Sequence, residues 1–432
     1  MMSNYCRDIC AIIFVFVLVS LLSPVFSSKD FREENDSSMP AGDKLKDMEL
    51  INAYLRKINK PFVKSFKSPD GDVIDCVFFH LQPAFDIPEL REKMSFSLPE
   101  LPKGHDHIAG NNLEIKQLWN SNGESCPNGT IPIRRTSASD IISISKLGKK
   151  YSIKDIPANP DHEHAIGFVH NEEFYGAKAV LNVWKPDVIG NDFSLSQIWV
   201  LSNFPGRPAN SIEAGWQITP NKHKDGLPRL FTYWTKHKGI KHFLLNNYCF
   251  SSITTYILKL QPNGYRSGCY NMICPGFVQT SRTVSLGAVI GPISTYNGEQ
   301  YDVAFMIWKD PKSENWWLKV GNEVIGYWPA SLFTDLRNHA TLIEYGGEVY
   351  SGSSGKHTST QMGSGHFPDE GLGKAAYARN LEVIDRYNNL NPVSNLILFA
   401  DKPNCYGVTK GYSDVWHNYI YFGGPGYNPK CL

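Results

Sequence analysis

Net charge is almost missing from this sequence: 43 Lys and Arg stand against 42 Asp and Glu, leaving +1. No excess of either sign remains to hold nucleic acid or an anionic membrane surface. Long apolar runs are equally scarce. One, from about Ala11 to Phe26, follows a short polar head containing Arg7 and ends at Ser27 and Ser28. That is the layout of a secretory signal peptide, residues 1–28. The run is short for a spanning helix and Pro24 interrupts it. No later segment is apolar enough to cross a bilayer. The expectation is a protein with no membrane association after signal removal, secreted to the extracellular space, cell wall or vacuole.

Several chemistries are excluded by missing pieces. No second close cysteine pair or histidine pair completes a zinc site, so no metal and no cofactor is expected. His162 and His164 in "DHEHA" stand two apart without a third ligand and read as surface histidines. The stretch "SGSSGKHTSTQMGSGHF" fails as a phosphate loop, because the first glycine of that motif would be Tyr350 and its last residue is His357. No serine sits in a nucleophile elbow. Cysteine is sparse but suits an oxidising compartment. Past Cys6 and Cys10 of the signal, seven remain, an odd number. Sequence does not fix their connectivity. Neighbourhood favours Cys269 with Cys274, Cys405 with Cys431 and Cys76 with Cys126, leaving Cys249 over. Asn35 and Asn128 sit in glycosylation sequons.

What the chain has in plenty is aromatic residues, 12%, among many Gly and Pro, which points to β-structure. In "DKLKDMELINAYLRKINK", Leu45, Met48, Ile51, Leu55 and Ile58 recur at helical spacing. A Pro-Asp-Gly turn precedes the alternating strand of "DGDVIDCVFF". Ser145 to about Pro160 reads as an exposed, cleavable linker. From His162 onward short strands follow one another, among them "FSLSQIWVLS", "SIEAGWQI", "RLFTYWT" and "ATLIEYGGEVY". The expected fold is all-β: an antiparallel β-sandwich domain over 156–432, preceded by a small α+β region over 29–155. A helical turn is expected in "PASLFTDLRNHA".

One strand carries an anomaly. In "NSIEAGWQI", Ile212, Ala214, Trp216 and Ile218 make an apolar face, and Glu213 lies on the other. Glutamate is a poor strand residue. Taken alone, it reads as a solvated surface position.

The motifs "NSIEAGWQI", "RLFTYWT", "GCYNMICPGFVQT", "GYWPASLF", "YGGEVY" and "TQMGSGHFPDEG" resemble the neprosin family, secreted plant glutamic peptidases that cleave beside proline. "SPDGDVIDCV" and "GTIPIRRT" are similar to that family's activation region. The resemblance implies that Glu213 and Glu348 are the catalytic pair. It implies substrates that are peptides or proteins rich in proline, cleaved only at acidic pH because one glutamate of the pair must hold a proton. Two facing carboxylates do not easily both ionise, so one keeps a proton while the other takes one from water. Which glutamate plays which part stays open. Gly215, Gly346 and Gly347 flank the pair, either for close approach of a peptide or as bulge glycines. Substrate-cleft candidates are Gln197, Trp216, Gln217, Tyr233, Gly346 and Gly347. Gln197 reads as a buried residue bonded to backbone, with an oxyanion donor as the other reading. Glu344, four residues before Glu348, is a rival acid. Family-like sequence is interrupted at 237–263, which holds Cys249 and reads as translated intron rather than a native loop. The other functions open to this pattern are a non-catalytic β-sandwich binding proline-rich or carbohydrate wall ligands, and a glycoside hydrolase using the same paired carboxylates. Oligomeric state is not legible.

Overall fold

Alternating side chains decide the architecture, because strands with one apolar face must lay that face against another sheet. A computed structural model of the chain describes residues 41–92, 97–104, 115–142, 162–202, 210–220, 223, 225–235, 268–352 and 356–431. The signal segment, Asn35, the 145–160 linker, the 237–263 segment and Cys249 lie outside the described residues.

The N-terminal region contains helix α1 (Ala41–Ile58), strands β1 (Phe62–Lys67) and β2 (Val73–Phe78), helix α2 (Pro88–Glu92), β3 (Lys116–Gln117) and β4 (Thr130–Arg134). The chain then runs through β5 (His162–Phe174), β6 (Gly176–Asn182), β7 (Phe193–Ser202), β8 (Asn210–Ile218), β9 (Arg229–Thr235), β10 (Cys269–Tyr270), β11 (Val278–Gln279) and β12 (Ile290–Gly291). After these come β13 (Asp302–Lys309), β14 (Trp316–Val320), β15 (Glu323–Trp328), β16 (Ala340–Tyr350), β17 (Ala376–Ile384), β18 (Leu390–Pro392), β19 (Ile397–Ala400), β20 (Gly407–Ser413) and β21 (His417–Gly423). The turn expected near residue 330 is one short 3-10 turn, Ala330–Leu332.

Two antiparallel sheets form the sandwich. One has seven strands in the order β10-β9-β8-β7-β16-β5-β19, and the other has nine, β11-β15-β14-β13-β6-β17-β21-β20 with β18 beside β17. Trp216 passes through the core and donates its indole N–H to the Asn182 carbonyl, 2.9 Å. Tyr345 donates its hydroxyl to the Glu382 carbonyl, 2.8 Å. Trp234, Phe277 and Trp328 fill one end of the core in edge contacts. The fold is the all-β sandwich with a small helix-and-strand region ahead of it. The disulfides are Cys76–Cys126, Cys269–Cys274 and Cys405–Cys431, as neighbourhood favoured.

Lys46 to Leu432 make one compact unit, and the N-terminal region is bound into it. The Tyr54 hydroxyl donates to the Ile273 carbonyl at 2.6 Å. Gln82 and Gln279 exchange hydrogen bonds of 3.2 and 2.8 Å. β3 pairs with β12. Between them lies a buried ionic cluster. Arg229 of β9 holds Asp70, Asp72 and Asp225, and Arg134 of β4 holds Asp72 and Asp140. Asn128 is exposed, as a glycosylated residue must be.

Candidate active site

Cross-strand partners project from the same face of a sheet, so the register of the seven-stranded sheet defines its outer face. One row across it reads Tyr233, Glu213, Trp199, Glu344, Phe168. The next reads Gly215, Gln197, Gly346, and the third Arg229, Gln217, Leu195, Glu348, His164. Glu213, Gln197 and Glu348 therefore lie on one diagonal, each a strand over and two residues along from the last. In the middle row Gln197 is flanked by glycine on both sides.

The middle row explains its own composition. A Cβ on Gly215 would stand 2.0 Å from the Ser196 carbonyl oxygen, and one on Gly346 would stand 2.3 Å from that of Ala165. Gly346 also has φ +147, which L side chains rarely adopt. No register shift occurs at either glycine. They are not bulges; their neighbours' backbones leave no room for a side chain.

Gln197 is fully buried. Its amide N–H donates to Glu213 Oε2 at 3.0 Å, and its Oε1 is buried with no hydrogen-bond partner among the described residues. The reading of Gln197 as bonded to backbone is thereby corrected: its partner is the carboxyl next in line. Gln217 shares the face, with its amide nitrogen buried and without a partner among the described residues. Tyr233 stands beside Glu213, and its hydroxyl accepts the Gly268 N–H at 3.1 Å. Trp216 and Gly347 do not join them. Trp216 is 0% exposed on the inner face, and a Cβ on Gly347 would meet Phe422 and Met362 of the opposite layer. Alternation alone assigns both to the core side.

The carboxyls of this face differ in their surroundings. Burial, reinforced by the charge of Glu348, pushes Glu213 up to about 8, against the hydrogen bonds of Ser211 and Gln197. Glu344, across Trp199 from Glu213, is pushed up to about 7 by burial, with His164 opposing and Glu348 adding to the rise. Glu348 goes the other way. Burial would raise it, but the charge and hydrogen bond of His162 and the charge of His164 carry it below the usual carboxylate range. His162 Nδ1 contacts Glu348 Oε1, and His164 Nε2 lies 3.8 Å from Oε2. Asp401, just past β19, accepts from His164 twice, from Nδ1 at 2.9 Å and from the backbone N–H at 2.8 Å. His164 is raised to about 9, since Asp401, Glu348 and Glu344 outweigh its burial.

The histidines were missed as site residues. His162 is 9% exposed and His164 half-buried, so neither is the surface histidine its sequence context suggested. The available signal was parity: two histidines two apart in a strand share a face. Asp401 carries no such signal, because it arrives from a distant loop.

The sequence matches the model of the neprosin activation peptide over residues 65–168 and that of neprosin over residues 190–425. An activation segment followed by a hydrolytic region defines the class, a peptidase precursor. Within that class, the chain belongs to the neprosin family. Among solved structures it is similar to scytalido-glutamic peptidase with a peptide-based transition-state analogue, at 8% identity and TM-score 0.29, over 60% of this chain and 97% of that one. It is also similar to SCP-B, a member of the eqolisin family of peptidases in complex with the tripeptide Ala-Ile-His. That likeness has 7% identity and TM-score 0.28, over 60% of this chain and 96% of that one.

Proposed function

We propose that this protein is the precursor of a secreted glutamic endopeptidase that hydrolyses peptide bonds next to proline, with Glu348 as general base and Glu213 as general acid. One observation carries the reading: two carboxyls on one sheet face are pushed in opposite directions, one kept ionised and one kept protonated. Glu348 takes a proton from water as it attacks the scissile carbonyl. Glu213 gives its proton to the carbonyl oxygen or to the leaving nitrogen. Gln197 donates to Oε2, so the acid proton of Glu213 belongs on Oε1. The partnerless Oε1 of Gln197 is ready to accept from water or from a substrate N–H. Trp199, between two carboxyls that are neutral at low pH, offers a ring face for a pyrrolidine.

The N-terminal region, through about residue 155, acts as an inhibitory cover. Its Asp70–Asp72 turn docks on Arg229, at the end of the row that holds Glu348. The two aspartates respond to acid with opposite signs. Burial opposes the ionisation of Asp70, but Ser68 and Arg229 bring its pKa below normal. Its contact is therefore lost as pH falls through that lowered value. Asp72 is raised, chiefly by burial, and favours docking as pH falls. Acid release thus works through Asp70 against Asp72.

Glu213→Gln and Glu348→Gln, assayed on proline-containing peptides after removal of the N-terminal region, are each expected to lose about 10²–10⁴-fold in kcat/KM. Near-wild-type activity in both would sink the reading. The rate should fall as pH rises through about 8, where Glu213 gives up its proton, a wider window than an acid-only enzyme.

A further inference from the structure

We infer that His162 and His164 are positioning residues that hold Glu348 charged and oriented, with Asp401 fixing His164, a three-residue brace supplied by β5 and the segment after β19. The inference rests on the assignment of Glu348 as the general base.

The geometry gives each member a separate task. Asp401 Oδ2 takes both the ring Nδ1–H and the backbone N–H of His164. A return bond ties the loop in place, from the Asp401 N–H to the His164 carbonyl at 3.0 Å. With Nδ1 committed to Asp401, the second ring nitrogen of His164 is the one that faces Glu348 Oε2. Glu348 Oε1 is taken by His162 Nδ1, which must carry a proton when the carboxyl is ionised, because a carboxylate only accepts. The His162 ring itself packs against the stacked pair Phe193 and Tyr350, at centroid distances of 5.8 and 4.9 Å. Both carboxylate oxygens are thus met from β5, and the β5 side is fixed from β7, β16 and the edge loop.

Other charged or titratable groups on this face are Glu213 of β8, Glu344 and Tyr350 of β16, Arg229 and Tyr233 of β9, Tyr270 of β10 and His170 of β5. Glu213 and Glu344 are acids, so they cannot hold Glu348 ionised. Arg229 is occupied by Asp70, Asp72 and Asp225. Glu163, between the two histidines, points to the reverse face, where His357 and Lys402 hold it at 2.7 and 2.9 Å. The brace is therefore the cationic neighbourhood of Glu348.

The test compares pH profiles of kcat/KM for the trimmed protein and for His164→Gln, His162→Gln and Asp401→Asn, with Glu348→Gln and Glu213→Gln as controls. Loss of the His164 charge should move the acidic limb up by about one pH unit, so that activity below the limb falls about tenfold while the plateau and the alkaline limb stay. Asp401→Asn releases the His164 ring but also removes a charge that raises Glu348, so it should lower the plateau through lost orientation without moving the acidic limb up. His162→Gln keeps a donor to Oε1 without a charge, so it should also move the limb up and leave the plateau in place. A second arm needs no activity. By NMR, the His164 ring should titrate well above an ordinary histidine in the full chain, and lower in Glu348→Gln and in Asp401→Asn. If Glu348→Gln is inactive but the acidic limb is unmoved in His164→Gln, the brace is wrong and the base assignment survives. If Glu348→Gln stays active, the base assignment is wrong, and an unmoved His164 titration in that variant overturns the brace as well.

Discussion

The two faces of the seven-stranded sheet come from the same strands and have opposite chemistry. Toward the second sheet β8 presents Ile212, Ala214, Trp216 and Ile218, none of them above 1% exposed. Toward the cleft it presents Ser211, Glu213, Gly215 and Gln217. β16 repeats the division, with Ile343, Tyr345 and Val349 inside and Glu344, Gly346 and Glu348 outside. The inner face gains stability by removing apolar surface from water. The outer face loses some, because it keeps carboxyls and amides out of water, two of the amides with an unpartnered atom. Packing on one side of a strand is what permits poorly solvated acids on the other, about 5 Å of backbone away.

The comparison breaks most severely from the inside. Trp216→Ala should cost about 3–5 kcal/mol in denaturant unfolding and leave the pH limbs of any surviving activity in place. A variant that shifts those limbs would show that the faces are not independent. Next come the two cleft acids, whose effects on stability should carry opposite signs. Glu213 has a folded pKa of about 8 against 4.5 unfolded. The folded state holds a proton there that the unfolded state releases, so stability falls as pH rises from about 4.5 to about 8. Glu213→Gln removes that penalty and should melt above wild type at pH 8, but not at pH 4. Glu348, lowered in the folded state, adds stability above 4.5 that is lost as pH falls through its folded pKa. Glu348→Gln should melt below wild type at pH 7. Thermal melts at the three pH values check both, and equal signs would undo the assignment of acid and base. The smallest effect belongs to Tyr345→Phe, which leaves the Glu382 carbonyl without its donor and should cost about 1–2 kcal/mol with no change in kinetics.

Much of this was legible from period-two alternation. β7, β9 and β16 occupy the residues their patterns mark, and the same alternation places Glu213 on the face away from Trp216. β5 was hidden by its composition. It opens with His-Glu-His and carries Asn171, Glu172 and Glu173 near its end, so it lacks the apolar rhythm of a half-buried strand. β20 is polar, glycine-bearing and only partly buried, which removes the hydrophobic signal on both faces, whereas β21 buries Ile420 and Phe422 and its Tyr-Ile-Tyr-Phe run was a strand signal left unread. The diagonal of Glu213, Gln197 and Glu348 depends on register between strands far apart in the chain, and register is not written in any one of them. The opposed pKa shifts depend on two histidines reaching Glu348 from a neighbouring strand, one of them held by Asp401 of an edge loop. No spacing rule within the glutamate motifs contains them.

β5 and β6 also set a limit on how the chain can be shortened. β5 is an internal strand, paired with β16 along nearly its whole length and with β19 on its other side. β6 is internal to the nine-stranded sheet, between β13 and β17. A recombinant chain begun at Gly190 would lack both, leaving a missing stave in each sheet and exposing four unpaired strand edges. Such a fragment should be recovered as aggregate, whereas one begun just before His162 keeps every strand of both sheets.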